Sequence, residues 1–139
     1  MAVLQFDTGL VTYKLNEACE VQFNPTDNDF AERLFKAFDE LEGRQEAWKK
    51  QVERMADKRE IFDFMRERDK EMRQIIDELF GVPVCDACFG RMSVYALAGG
   101  LPAWVNLFLA VMDEIDTSFA REQKMTNEKI KKYTAKYHR

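Results

Sequence analysis

The chain has 139 residues, 33% of them charged and 46% hydrophobic, with a formal net charge of −4. That length suits one domain with a real core, and eleven Phe against three Pro and six Gly exclude a disordered or loop-dominated chain. A single His and an odd set of three Cys exclude a His-rich metal centre and a disulfide framework, and fit a reducing compartment.

Val3–Phe6, Leu10–Lys14 and Glu20–Phe23 read as short strands, each with β-branched or aromatic residues and some alternation. Asp7-Thr8-Gly9 suits a turn between the first two, and Asn16-Glu17-Ala18 separates the second from the third. A small antiparallel β-meander over residues 1–24 is expected, and it needs helices or another subunit's sheet to lie on. The extended stretch stops at Asn24-Pro25, where Thr26 is expected to cap a helix with Asp29 completing a capping box. Phe30, Leu34, Phe38 and Leu41 then fall on one helical face. This first helix is expected over about Asp27–Glu42, with Gly43 either ending or weakening it.

A long charged stretch follows, to Phe80. Leu41, Trp48, Met55 and Phe62 recur every seven residues, and Met65, Met72 and Leu79 form a second series. The pattern fits a helical hairpin packed within the domain, or a self-association seam interrupted by Gln51, Lys58 and Asp69. Gly81-Val82-Pro83 breaks the chain, Val84–Phe89 is a short apolar piece ended by Gly90, and Ser93–Ala98 reads as another short helix. Met92–Met112 carries no charge and is long enough to span a bilayer, but Gly99-Gly100-Leu101-Pro102 divides it, so a buried helix–turn–helix is expected. Pro102 suits the first turn of a long last helix with a wide apolar face that includes Trp104, Phe108, Val111, Ile115 and Phe119. The fold class expected is α+β, mostly α: the meander, a helical body over 25–120 and a basic helical tail over 121–139.

Reactive groups are few. His138, the one histidine, lies beside the C-terminus, a poor place for a catalytic pair. Cys85-Asp86-Ala87-Cys88 is a single C-x-x-C that follows a Pro turn, without the strand of a thioredoxin-like site or the second pair of a zinc site. Two buried thiols in a short helix are the simpler reading. Asp113, Glu114 and Asp116 flank the apolar face of the last helix as a solvated edge. Neither phosphate-binding glycine pattern occurs. No catalytic residue, metal site or cofactor is expected.

Residues 121–139 carry seven basic and two acidic side chains, a net +5, which leaves −9 on residues 1–120. The tail Lys129–Arg139 interleaves basic and aromatic residues, so a small nucleic-acid-associated regulator is one possible use of it. The acidic body argues against that and favours a protein partner or head-to-tail self-attraction.

Six segments carry a family resemblance: Y-x-L at Tyr13–Leu15, EVQFNPTD at Glu20–Asp27, FAERLF at Phe30–Phe35, FGVPVCDACFG at Phe80–Gly90, VYALAGGLPAW at Val94–Trp104, and the closing KYTAKYHR. Together they resemble the tail assembly chaperones of long-tailed phages of Gram-positive bacteria. The resemblance implies a non-enzymatic, cytoplasmic, self-associating protein that coats the tape-measure protein before the tail tube polymerises around it. Met1–Leu10, without a basic start or an apolar core, agrees with a cytoplasmic location. A long helical client would dock by apolar anchors at helical spacing. The residues expected to meet it are Trp104 and Phe108, with Lys129, Lys131, Lys132, Tyr133, Lys136 and Tyr137 of the tail.

Overall fold

The computed structural model describes residues 1–137. Its fold is α+β, mostly α. Strands β1 (Val11–Leu15) and β2 (Cys19–Phe23) precede helices α1 (Asn28–Glu53), α2 (Lys58–Phe80) and α3 (Val84–Phe89). Two-residue strands β3 (Leu97–Ala98) and β4 (Leu101–Pro102) then lead into α4 (Ala103–Tyr137).

The N-terminal sheet is a two-stranded hairpin, not a three-stranded meander: β1 pairs antiparallel with β2, from Val11↔Phe23 to Leu15↔Cys19. Val3–Phe6, expected as a strand, pairs with nothing and lies exposed. The hairpin turn is tight. The Leu15 carbonyl accepts from the Ala18 N–H at 2.8 Å, and Asn16 (φ 51°) and Glu17 (φ 59°) are both left-handed. Two such residues give a type I′ turn, whose twist matches that of the flanking strands. Alternation does the rest: Val21 and Phe23 are buried, while Thr12, Lys14, Glu20 and Gln22 face water.

Asn24 ends the sheet and starts α1. Its Oδ1 accepts from both the N–H and the hydroxyl of Thr26, each at 2.8 Å. Thr26 is therefore occupied, and the cap expected from it is supplied by Asp27, which accepts from the Asp29 N–H at 3.0 Å. Asp29 turns instead to Arg33, 3.1 Å away. α1 continues through Gly43 to Glu53, twenty-six residues in all.

Arg54–Asp57 reverses the chain, and Asp57 caps α2 by accepting from the Arg59 N–H at 2.9 Å. Cross-contacts set the direction: Arg44 meets Glu71 at 3.6 Å and Arg68 lies over the Trp48 ring, so the two helices run antiparallel. Of the seven-residue series, Leu41, Trp48, Met72 and Leu79 are buried, but Met55 falls in the reversal and Phe62 is 63% exposed. The pattern thus describes an intramolecular hairpin over most of its length. α2 ends at Gly81, whose φ of 73° is the left-handed C-terminal conformation that glycine adopts freely.

Ser93–Ala98, expected as a helix, forms a turn and then strand β3. Gly99 (φ 63°) and Gly100 (φ 86°) let β3 fold back tightly on β4. α4 then starts at Ala103 and packs antiparallel to α1, with Phe38 against both Trp104 and Phe108 at ring centroid separations of 5.3 and 6.1 Å. A second aromatic column joins the sheet to the helices. Tyr13 stacks on Phe23 (4.7 Å), Phe23 on Phe30 (4.4 Å), and Phe30 tilts against Phe80. One continuous apolar cluster extends from Val21 through Ile115. No helix among the described residues is long and apolar enough to cross a membrane.

Candidate functional site

The residues of the C-x-x-C segment do not face each other. α3 starts just after Pro83, and its first turn is pinned by Asp77, whose Oδ1 accepts from the Cys85 N–H at 2.9 Å. Cys85 is fully buried, its Sγ directed at the Arg73 carbonyl. Cys88, one turn on, meets Cys19 of β2 instead, Sγ to Sγ 3.9 Å. Burial pushes the Cys85 thiol well above its ordinary value. Burial and the neighbouring Cys19 raise Cys88 to about 11. Both stay protonated near neutrality, where a thiol is a poor nucleophile and metal ligand. Among the described residues, no three His, Cys, Asp or Glu side chains converge as a metal site would require.

Beside this pair stands a polar hub that the sequence did not announce. Arg73 Nε donates to Asp69 at 2.8 Å, Nη1 to Asp86 at 3.0 Å, and Nη2 to the carbonyls of Gly90 and Met92 at 2.8 and 2.6 Å. Asp69 in turn accepts from the Val94 N–H at 2.8 Å. One guanidinium thus fastens α2 to α3 and to the loop before β3. Four of its five N–H donors are spent on protein acceptors, which makes it structural.

The acidic edge of α4 has a similar outcome. Asp113 and Asp116 are exposed, but Glu114 accepts from the Tyr13 hydroxyl at 3.0 Å and from Ser118 Oγ at 3.1 Å. Burial first, then the Glu114 carboxylate, raise the Tyr13 hydroxyl above its ordinary value. This contact ties the hairpin to α4.

Two of the expected partner contacts are core residues. Trp104 is 1% exposed and Phe108 0%. The Trp104 indole N–H donates to Gln45 Oε1 at 2.7 Å, and its ring meets Phe108 edge-on. Neither side chain is free to meet a client, because α4 lays this stripe against α1. Lys129, Lys131 and Lys132 do lie exposed on α4, and Lys129 lines a cleft shared with Asp7 and Thr8. Tyr133, Lys136 and Tyr137 continue the same helix, with their side chains, like His138 and Arg139, outside the described set.

α4 runs on past the body into the segment expected as a basic helical tail over 121–139. Among the described residues Ser118 is its last buried one, and every residue from Phe119 to Lys132 is exposed. Phe119 (46%) and Ile130 (57%) sit three turns apart on one side, and Met125 (44%) on another. Lys124, Lys129, Lys131 and Lys132 lie between and beyond them. Comparison with protein-family models, with curated proteins and with solved structures finds no match.

Proposed function

We propose that the chain is a non-catalytic tail assembly chaperone of a long-tailed phage, which self-associates in the host cytoplasm and shields the tape-measure protein during tail assembly. The observation that carries the reading is the bare end of α4. It presents Phe119, Met125 and Ile130 in water among four lysines, with no packing duty of its own. A helix carrying apolar anchors and positive charge suits a long, helical, acidic client, which gains apolar burial and charge pairing along the same helix. The sequence resemblance supplies the identity of that client. The protonated thiols and the internally bonded Arg73 and Glu114 agree with a protein that works by adhesion.

The test is co-expression with the tape-measure protein encoded alongside it. The full chain is expected to keep that client soluble and to co-purify with it. Phe119→Asp combined with Ile130→Asp is expected to abolish both without changing the helicity of the free protein. A client that is equally soluble and uncomplexed without this chain overturns the reading.

A further inference from the structure

We infer that two copies of this chain associate by exchanging their N-terminal arms, each Ala2–Phe6 adding as a strand to the free edge of the other's β1. The inference gives the proposed self-association its surface, and rests on that part of the proposed function alone.

The donor is a segment with the sequence pattern of a strand and no sheet to join. Met1–Thr8 is wholly exposed, and Val3 (77%), Leu4 (90%) and Phe6 (82%) stand in water. Leu4 and Phe6 fall on one face, as in a half-buried strand. The acceptor is a sheet without a third strand: β1 has β2 on one side and no strand on the other. Two clefts separate β1 from α4, on either side of the Tyr13–Glu114 contact. At one end Val11, with Asp7 and Thr8 at the root of the arm, faces Ser118 and Arg121 across a cleft of about 790 Å³. At the other, Leu15 faces Leu107 and Ala110 across about 440 Å³. The Tyr13–Glu114 bond stands midway. The α4 residues 107, 110, 114, 118 and 121 are three or four apart, so a single helical stripe backs both clefts. Donor and acceptor are both five residues long, about 17 Å of strand.

The root of the arm is pinned at the open end of the hairpin, where it lines the larger cleft. Asn24 Nδ2 holds the Thr8 carbonyl at 3.0 Å, and Asp7 Oδ1 accepts from the Gly9 N–H at 2.8 Å. Gly9 has φ +74°, and a Cβ there would come within 2.5 Å of Asn24 Nδ2. Asn24 directly follows Phe23, the partner of Val11. The linker is therefore held at the open end of the hairpin, and the arm does not pair with its own β1. A second copy, related by a two-fold axis, offers the same edge and receives the same arm in return. Main-chain hydrogen bonds supply the pairing, and Leu4 and Phe6 leave water over Leu10 and Val11, themselves 54% and 39% exposed.

Light scattering on the full chain, from sub-micromolar to hundreds of micromolar, reads the result together with hydrogen exchange of the arm amides. Twice the 16.3 kDa chain mass is expected at high concentration. Amides 2–6 should be protected in that dimer and lose protection on dilution. Leu4→Asp combined with Phe6→Asp should leave a monomer of unchanged helicity at every concentration, since the arm packs on nothing in the free chain. A dimer that survives this double change overturns the inference, and so does a wild-type monomer at all concentrations, whether its arm is protected or open. Client solubility in co-expression, read with the same variant, separates failure of arm exchange from failure of the proposed client binding.

Discussion

Arg73 concentrates more of the fold in one side chain than any apolar residue does. Its side chain is 14% exposed and that of its partner Asp69 17%, so both charges are largely withdrawn from water. Replacing Arg73 by Met leaves Asp69 unpaired and strips two carbonyls of their donor, and such a broken pair costs about 3 kcal/mol. Urea denaturation should show that loss, and Arg73→Lys should recover only part of it, because one ammonium cannot reproduce the planar fork. Cys88 sets the alkaline limit in a different way. The free thiol ionises near 9.0 and the folded one at about 11. Between those values the unfolded chain has released a proton that the folded chain retains. Stability is therefore fully present below about pH 9 and falls as pH rises toward about 11. Cys85, raised further by burial, loses stability from the same starting pH, and Tyr95 from about pH 10. Cys88→Ala should therefore remove about half of the decline in urea midpoints taken at about pH 8 and about pH 10.

Among the elements, α1 shows how a weak local signal loses to packing. Gly43 lowers helix propensity, yet Leu41 and Trp48 on either side are buried against α2 and α4, and the helix runs through. A Cβ at Gly43 would meet nothing within 4 Å. Gly43→Ala should accordingly raise stability by about 1 kcal/mol, visible as a higher thermal midpoint. The elements legible in the sequence were those whose cue is local: the break at Asn24-Pro25, the apolar face of α1, the left-handed stop at Gly81, and the start of the last helix next to Pro102. Ser93–Ala98 was misread because its apolar run fits a helix as well as a strand, and the Gly99-Gly100 turn decides between them. Val3–Phe6 was misread because a strand pattern does not say whether a partner strand is within reach. The candidate site was less legible still. Trp104 and Phe108 lie on an apolar face that periodicity detects, but periodicity does not tell core from contact surface. Arg73, Glu114 and the Cys19–Cys88 encounter join residues far apart in the chain, which no spacing rule brings together.

For the molecule as a whole, the boundary between body and overhang falls within α4. Ser118 is the last buried residue and Arg121, 3.6 Å from Glu114, the last to reach back to an anchoring group of the body. Ending the chain at Glu122 should leave the stability of the body within about 0.5 kcal/mol, as expected where no buried contact is removed. Calorimetry of the shortened protein checks this, and under the proposed function the same protein should no longer bind its client. At about 1.5 Å per residue, the α4 residues beyond Ser118 extend about 28 Å. That is several times the roughly 8 Å over which salt damps a surface charge at physiological ionic strength. Positive and negative regions so far apart cannot neutralise each other, and the protein behaves as a charged compass needle. Under the proposed function, an acidic client that comes within this screening distance draws the lysine-bearing tip forward, so productive encounters are selected by orientation as well as by contact.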